Sequence, residues 1–160
     1  MRILLVVAGL LVLCSIANAG QTFPNWFLTP GATNPDVTQS NIKKTICKSG
    51  WTKTIRPGTS YTNGLKRQQI VQYGYADKRL KSYEEDHLIS LQLGGHPTDP
   101  RNLWPEAYTG PCGARRKDVI ETKLKRLVCS GKITLAEAQQ AIASNWVVAY
   151  NYYVRPLNCP

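Results

Sequence analysis

The chain has 160 residues, of which 42% are hydrophobic and 19% are charged. This composition excludes a disordered tail or a low-complexity linker, and the length allows one domain with an ordinary core. Lys and Arg outnumber Asp and Glu by 20 to 10, and the resulting net charge of +10 favours a polyanionic partner such as nucleic acid, an acidic membrane face or a cell-wall polymer.

The N-terminus has the pattern of a secretory signal peptide. A basic second residue precedes an apolar run over residues 3–13, and residues 17–19 read Ala-Asn-Ala. We predict a signal peptide over residues 1–19 and a secreted, extracellular or periplasmic product, whose net charge falls to +9 with the loss of one Arg. The competing interpretation is a lipoprotein anchored through Cys14, but Leu13 is bulkier than the small residue that such a site needs. No later segment is long and apolar enough to cross a membrane.

Four cysteines remain once the signal peptide is removed: Cys47, Cys112, Cys129 and Cys159. An even number of cysteines in an oxidising compartment predicts two disulfides, with three possible connectivities. A zinc site is the weaker interpretation, because the chain has no Cys-x-x-Cys pair and the cysteine spacings are long and uneven.

The first half of the mature chain begins with an extended arm. Proline and glycine are frequent in residues 20–35, and we predict that the folded domain occupies residues 36–160. Within it, Thr38 is the expected cap of a short helix that ends near Cys47. The alternating, β-branched segment Trp51–Ile55 predicts a short strand, and a helix is expected from Thr62 to about Tyr73.

The second half is expected to contain a strand pair followed by two helices. Residues 83–93 predict a strand that enters a glycine turn, and residues 102–104 predict the returning strand, which Pro105 would stop. Apolar residues at helical spacing predict a helix over residues 115–129. A capping box at Thr134 begins the last helix.

Three acidic residues and a histidine are consecutive at Glu84-Glu85-Asp86-His87. Like charges this close repel each other, and a bound divalent cation would offset the repulsion. An exposed acidic turn is the other interpretation.

The residues around this cluster resemble the HNH endonuclease family of the ββα-metal type. The match covers residues 83–129, with Glu-Glu-Asp-His followed by Leu-Gly-Gly, Asn-Leu-Trp-Pro and a helix that carries Lys117-Asp118-x-x-Glu121. The resemblance is to the small secreted branch of that family. It implies an α+β fold with a ββα-metal core, to which this chain adds further helices and disulfides.

The resemblance also implies roles for individual residues. His87 would be the general base that takes a proton from the attacking water, and Asn102 would hold the His87 segment in register. Asp86 would bind one divalent ion, Mg²⁺ or alternatively Mn²⁺. The helix lacks the usual histidine, so the second metal ligand would be Asp118 or Glu121, which share a helix face. As acids in the first turn, these two would also suit a helix start.

Basic residues crowd the same helix and are expected to contact substrate phosphates. They are Arg115, Arg116, Lys117, Lys123, Lys125 and Arg126. No segment resembles a module that reads bases, which predicts low sequence specificity. The predicted function is a secreted, monomeric, metal-dependent endonuclease that hydrolyses DNA or RNA. The alternative is a cationic secreted protein that binds nucleic acid or cell-envelope polymer on a degenerate core without cutting it.

Overall fold

The computed structural model describes residues 22–159 and has a mixed α+β architecture with two disulfides. Its elements are α1 (Trp51–Ile55), α2 (Thr59–Gln72), β1 (Tyr83–His87), β2 (Leu103–Ala107), α3 (Ala114–Cys129) and α4 (Leu135–Tyr153). The predicted signal peptide lies outside the described residues. Among residues 22–159, none of the helices combines the length and the hydropathy that a membrane span needs.

The two strands form one antiparallel sheet in which Glu84 is opposite Glu106, and Asp86 is opposite Trp104. Because side chains alternate along a strand, each of these pairs lies on one face, and Glu85 and His87 lie on the other. The first face is turned towards α3, whose Lys117 bonds to Asp86. The second face contacts α2, whose buried Lys66 donates to the carbonyl of Tyr83.

Helices α3 and α4 form most of the main core. The apolar stripe predicted on α3 is buried through Ile120, Leu124 and Val128, and it packs on α4. The capping box predicted for α4 is present, with the Thr134 hydroxyl accepting from the Glu137 amide and the Glu137 carboxylate accepting from the Thr134 amide. These two helices are confirmed within one residue of their predicted starts.

The two disulfides are Cys47–Cys129 and Cys112–Cys159. The prediction that all four cysteines pair is therefore confirmed, and the structure selects one of the three connectivities. The first bond joins the segment before α1 to the end of α3, and the second joins the loop before α3 to the C-terminal segment. Two disulfides are typical of proteins from oxidising compartments.

Three predictions about the first half of the chain are wrong in detail. The helix expected between Thr38 and Cys47 is a single 3-10 turn over Gln39–Asn41 that is followed by further turns. Residues Trp51–Ile55 form a helix and not a strand, since β-branched residues favour a strand only where a neighbouring strand can pair with them. The only sheet in the described residues is the β1–β2 pair. Helix α2 begins at Thr59, three residues before the predicted Thr62.

The strand pair also differs from its prediction. Strand β1 ends at His87 rather than near Leu93. The side chain of Asn102 forms hydrogen bonds with both the amide and the carbonyl of Ile89, so these groups cannot continue the strand pairing. Strand β2 continues through Pro105, which lies opposite Glu85. A two-stranded sheet tolerates this proline because an edge strand can leave its outer backbone groups unpaired.

Residues 22–35 contact the loop that joins the two strands. The Gly31 amide donates to the Arg101 carbonyl, the Asn34 amide donates to the Gly94 carbonyl, and Thr33 forms an isolated bridge with Gly95. The described part of the predicted arm thus lies against the loop beside the strands, and the domain boundary at residue 35 stays a prediction.

Candidate active site

Asn102 fixes the backbone that follows His87. Its amide group is fully buried, donates to the carbonyls of Ile89 and His96, and accepts from the Ile89 amide at 2.9 Å. Gly95 belongs to the same arrangement, since a Cβ at that position would lie 1.6 Å from the Ile89 carbonyl oxygen. The Leu-Gly-Gly and Asn-Leu segments therefore pack closely, because the Asn102 side chain bonds to backbone groups around Gly95. A larger residue at position 95 would prevent this packing.

His87 is held in one orientation at the end of β1. Its side chain is 4% exposed, and Nε2 lies 2.9 Å from the carbonyl oxygen of Pro97. A carbonyl can only accept, so Nε2 carries the proton and Nδ1 of the neutral ring keeps its lone pair. Burial lowers the pKa of His87 below its ordinary value, and the charges of Lys117 and Arg56 act in the same direction. The ring is therefore a neutral base at physiological pH.

His87 lines a cavity of about 200 Å³ between β1 and the start of α2. The polar and charged residues that line it with His87 are Arg56, Thr59, Thr62, Asn63, Lys66, Glu84, Glu85 and Tyr108. Most of these come from a segment that shares no local pattern with the Glu-Glu-Asp-His motif. The lining residues between positions 56 and 66 were not predicted from the sequence, because only the packing of α2 on the sheet brings them to the strand.

Glu85 is the most unusual acid of this cavity. Its side chain is 8% exposed, and neither carboxylate oxygen has a hydrogen-bond partner among residues 22–159. Burial raises the pKa of Glu85 to about 8, with a further contribution from the charge of Asp86, while Lys66 opposes the shift. At neutral pH the cavity thus contains a largely protonated carboxyl and a neutral imidazole, two residues apart on one strand face.

The opposite face of β1 holds a buried charge cluster around Lys117. The Nζ atom of this lysine lies 2.7 Å from Asp86 Oδ2, 2.6 Å from Glu121 Oε1 and 2.7 Å from the carbonyl oxygen of His87. The lysine side chain is 0% exposed and that of Asp86 is 16% exposed. The structure therefore corrects the expectation that Lys117 contacts substrate, because its ammonium group points into the protein.

The acids around this lysine differ in the direction of their pKa shifts. Burial, followed by the charge of Asp86, raises the pKa of Glu106 well above its ordinary value. Burial also raises the pKa of Glu84 to about 7 and that of Glu121 above its ordinary value, whereas Lys117 holds the pKa of Asp86 below its ordinary value. Asp86 is thus the acid of this cluster whose pKa the lysine holds low.

The predicted metal ligands do not fit a divalent ion as they are arranged. Both oxygens of Glu121 are engaged, one by Lys117 and the other by the hydroxyl of Ser90 at 2.7 Å. Asp118 is exposed on α3, and partial loss of hydration followed by the charge of Asp86 raises its pKa. Among residues 22–159, no group of three or more His, Cys, Asp or Glu side chains is arranged to hold a metal ion.

The predicted substrate-binding residues of α3 lie at different distances from the cavity. Arg115 is close enough to the site for its charge to act on Asp118 and Tyr108. Arg126 lies further along the helix, by about 16 Å at the normal rise per residue. The rest of the predicted basic set apart from Lys117 is also at least partly exposed on α3: Arg116, Lys123 and Lys125.

Comparison with known proteins adds no relative. The chain matches no protein-family model, no curated protein and no solved structure. The geometry of the cavity and of the lysine cluster therefore carries the functional argument.

Proposed function

We propose that this protein is a secreted nuclease that hydrolyses phosphodiester bonds of DNA or RNA, with His87 as the general base. The observation that carries the proposal is the orientation of His87: a backbone carbonyl holds Nε2–H, and the unprotonated Nδ1 belongs to a ring that lines a cavity. The resemblance of the segment around His87 to HNH endonucleases supports the same role.

The proposed reaction uses two groups of the cavity. Nδ1 of His87 takes a proton from water as the water oxygen bonds to phosphorus. The bond from phosphorus to the leaving oxygen then breaks, and protonated Glu85 donates its proton to that oxygen. Two groups whose environments shift their pKa values in opposite directions suit such an acid–base pair. Proton exchange with solvent restores both groups.

Cationic groups near the cavity supply the affinity for phosphate. Arg56 lines the cavity and Arg115 lies near its edge, so both are placed to attract the anionic substrate before cleavage. The exposed basic residues further along α3 extend this positive surface, and contacts of that kind carry no base specificity.

A nicking assay tests the proposal. Purified protein is incubated with supercoiled plasmid and, separately, with single-stranded RNA, both with Mg²⁺ and with a chelator. We expect cleavage by the wild type and a loss of about 100-fold or more for His87→Ala, because general base catalysis typically contributes that much. The matched control is His96→Asn, since His96 does not line the cavity and the asparagine Oδ1 can still accept from the Thr98 and Asp99 amides as His96 Nδ1 does. Equal cleavage by wild type and His87→Ala would contradict the assignment.

The cationic binding protein of the sequence analysis is the other outcome of this assay. The charge cluster around Lys117 favours it, because two of the three predicted metal ligands, Asp86 and Glu121, are bound to a lysine. In this outcome the folded wild type binds nucleic acid in a salt-sensitive way and does not cleave it in any of these conditions. That result would favour the cationic binding protein over the nuclease.

A further inference from the structure

The ammonium group of Lys117 has three N–H donors, and the cluster provides three oxygen acceptors within 2.7 Å of it. Two acceptors are the carboxylates of Asp86 and Glu121, and the third is the backbone carbonyl of His87. The lysine is therefore fully satisfied without water, and it connects the acidic face of the sheet to the residue that we propose as the base.

Two of these acceptors belong to Asp86 and Glu121, which the sequence predicted as candidate ligands of a divalent ion. Hard cations prefer carboxylate and carbonyl oxygens, which are the groups that surround Nζ. The lysine and Glu121 are one helical turn apart on α3, so the ammonium is covalently tethered beside one of its acceptors. A tethered cation cannot be removed by dilution or by a chelator.

Charge balance points to the same conclusion. A buried carboxylate needs a partner, and loss of one partner from a buried pair is strongly destabilising. Lys117 provides that partner for both Asp86 and Glu121, at 2.7 Å and 2.6 Å.

We propose that Lys117 is a built-in cation that permanently occupies the position between Asp86 and Glu121, so that this position takes no divalent metal ion. Lys117 is a positioning residue, since it touches Asp86, Glu121 and the backbone of His87. Only an effect of Lys117 on catalysis would depend on the proposed nuclease function. The position of the Lys117 ammonium between Asp86 and Glu121 is a property of the folded chain and does not depend on that function.

Binding of Mn²⁺, followed by electron paramagnetic resonance, tests this proposal. Wild type and Asp86→Asn should give the same titration, because Asp86 is not available to the ion. Lys117→Met removes the charge at similar length and should create an Mn²⁺ site that binds at least ten-fold more tightly than any wild-type site. That site should disappear in the double variant Lys117→Met/Asp86→Asn and should be absent from Lys117→Arg.

The result that overturns the proposal is one Mn²⁺ bound by wild type and lost in Asp86→Asn. If Lys117→Met does not fold, the comparison of wild type with Asp86→Asn decides the question without it. Cleavage is not measured, so the outcome is separate from that of the nuclease proposal. The absence of nucleic-acid cleavage would refute the proposed function but would not change the interpretation of the Mn²⁺ titration.

Discussion

Burial of Glu85 predicts that the protein loses stability as the pH rises. The pKa of this carboxyl is about 8 in the folded chain against an ordinary value of 4.5. A group whose folded pKa is raised binds its proton more tightly in the native state, so its contribution is fully present below pH 4.5 and is lost as pH rises through 8. A difference of this size corresponds to roughly 5 kcal/mol in the free energy of unfolding.

The window from pH 7 to pH 8 isolates Glu85 from its neighbours on β1. His87 has a lowered pKa, so its contribution has the opposite sign and is complete above the ordinary histidine value of 6.5. Glu84 has a pKa of about 7, which places most of its change below this window. The slope expected from Glu85 alone is up to ~1.4 kcal/mol of lost stability per pH unit.

Urea denaturation of wild type, Glu85→Gln and Glu84→Gln at several pH values measures these slopes. Glu85→Gln should flatten the decrease between pH 7 and pH 8, because glutamine has no proton to lose. Glu84→Gln is the matched control, with the same chemical change on the opposite strand face, and should retain the decrease. An unchanged slope in Glu85→Gln would refute the argument that this carboxyl is protonated in the cavity.

Two further predictions concern the cavity edge and the loop behind it. Arg56→Gln should lower kcat of nucleic-acid cleavage by about ten-fold or more, since Arg56 lines the cavity. Arg126→Gln should leave kcat unchanged. It should instead reduce the slope of binding affinity against salt concentration by about the amount that one phosphate contact contributes. A thermal melt of Gly95→Ala should reveal a loss of about 2–3 kcal/mol, because the new Cβ would overlap the Ile89 carbonyl. Gly64→Ala, a helical position with open space around it, should instead gain about 0.5–1 kcal/mol.

Local signals predicted the second half of the chain well. The capping box at Thr134 and the apolar stripe of α3 depend on residues three to four apart, so they could be recognised without knowing the fold. The even cysteine count indicated two disulfides but not their pairing, because connectivity depends on how α3 is placed against distant segments.

Features of the structure that depend on residues far apart in the chain were predicted less well from the sequence. The segment Trp51–Ile55 has strand-like composition, yet it lies beside no strand and forms a helix. The length of β1 was overestimated because its end is set by a side chain from position 102. Arg56 and Lys66 gave no sign of a role in a site, since only the packing of α2 brings them to His87.

The adjacent residues Asp86 and His87 illustrate why the site itself could be predicted only in part. Their neighbourhood in the sequence suggests one shared centre, but strand alternation directs the two side chains to opposite faces of the sheet. Asp86 belongs to the lysine cluster, and His87 belongs to the cavity with Glu85. The two environments meet at one point, where Lys117 bonds both the carboxylate of Asp86 and the carbonyl of His87. A change in the cluster can therefore reach the proposed base through the backbone, without any contact between the two side chains.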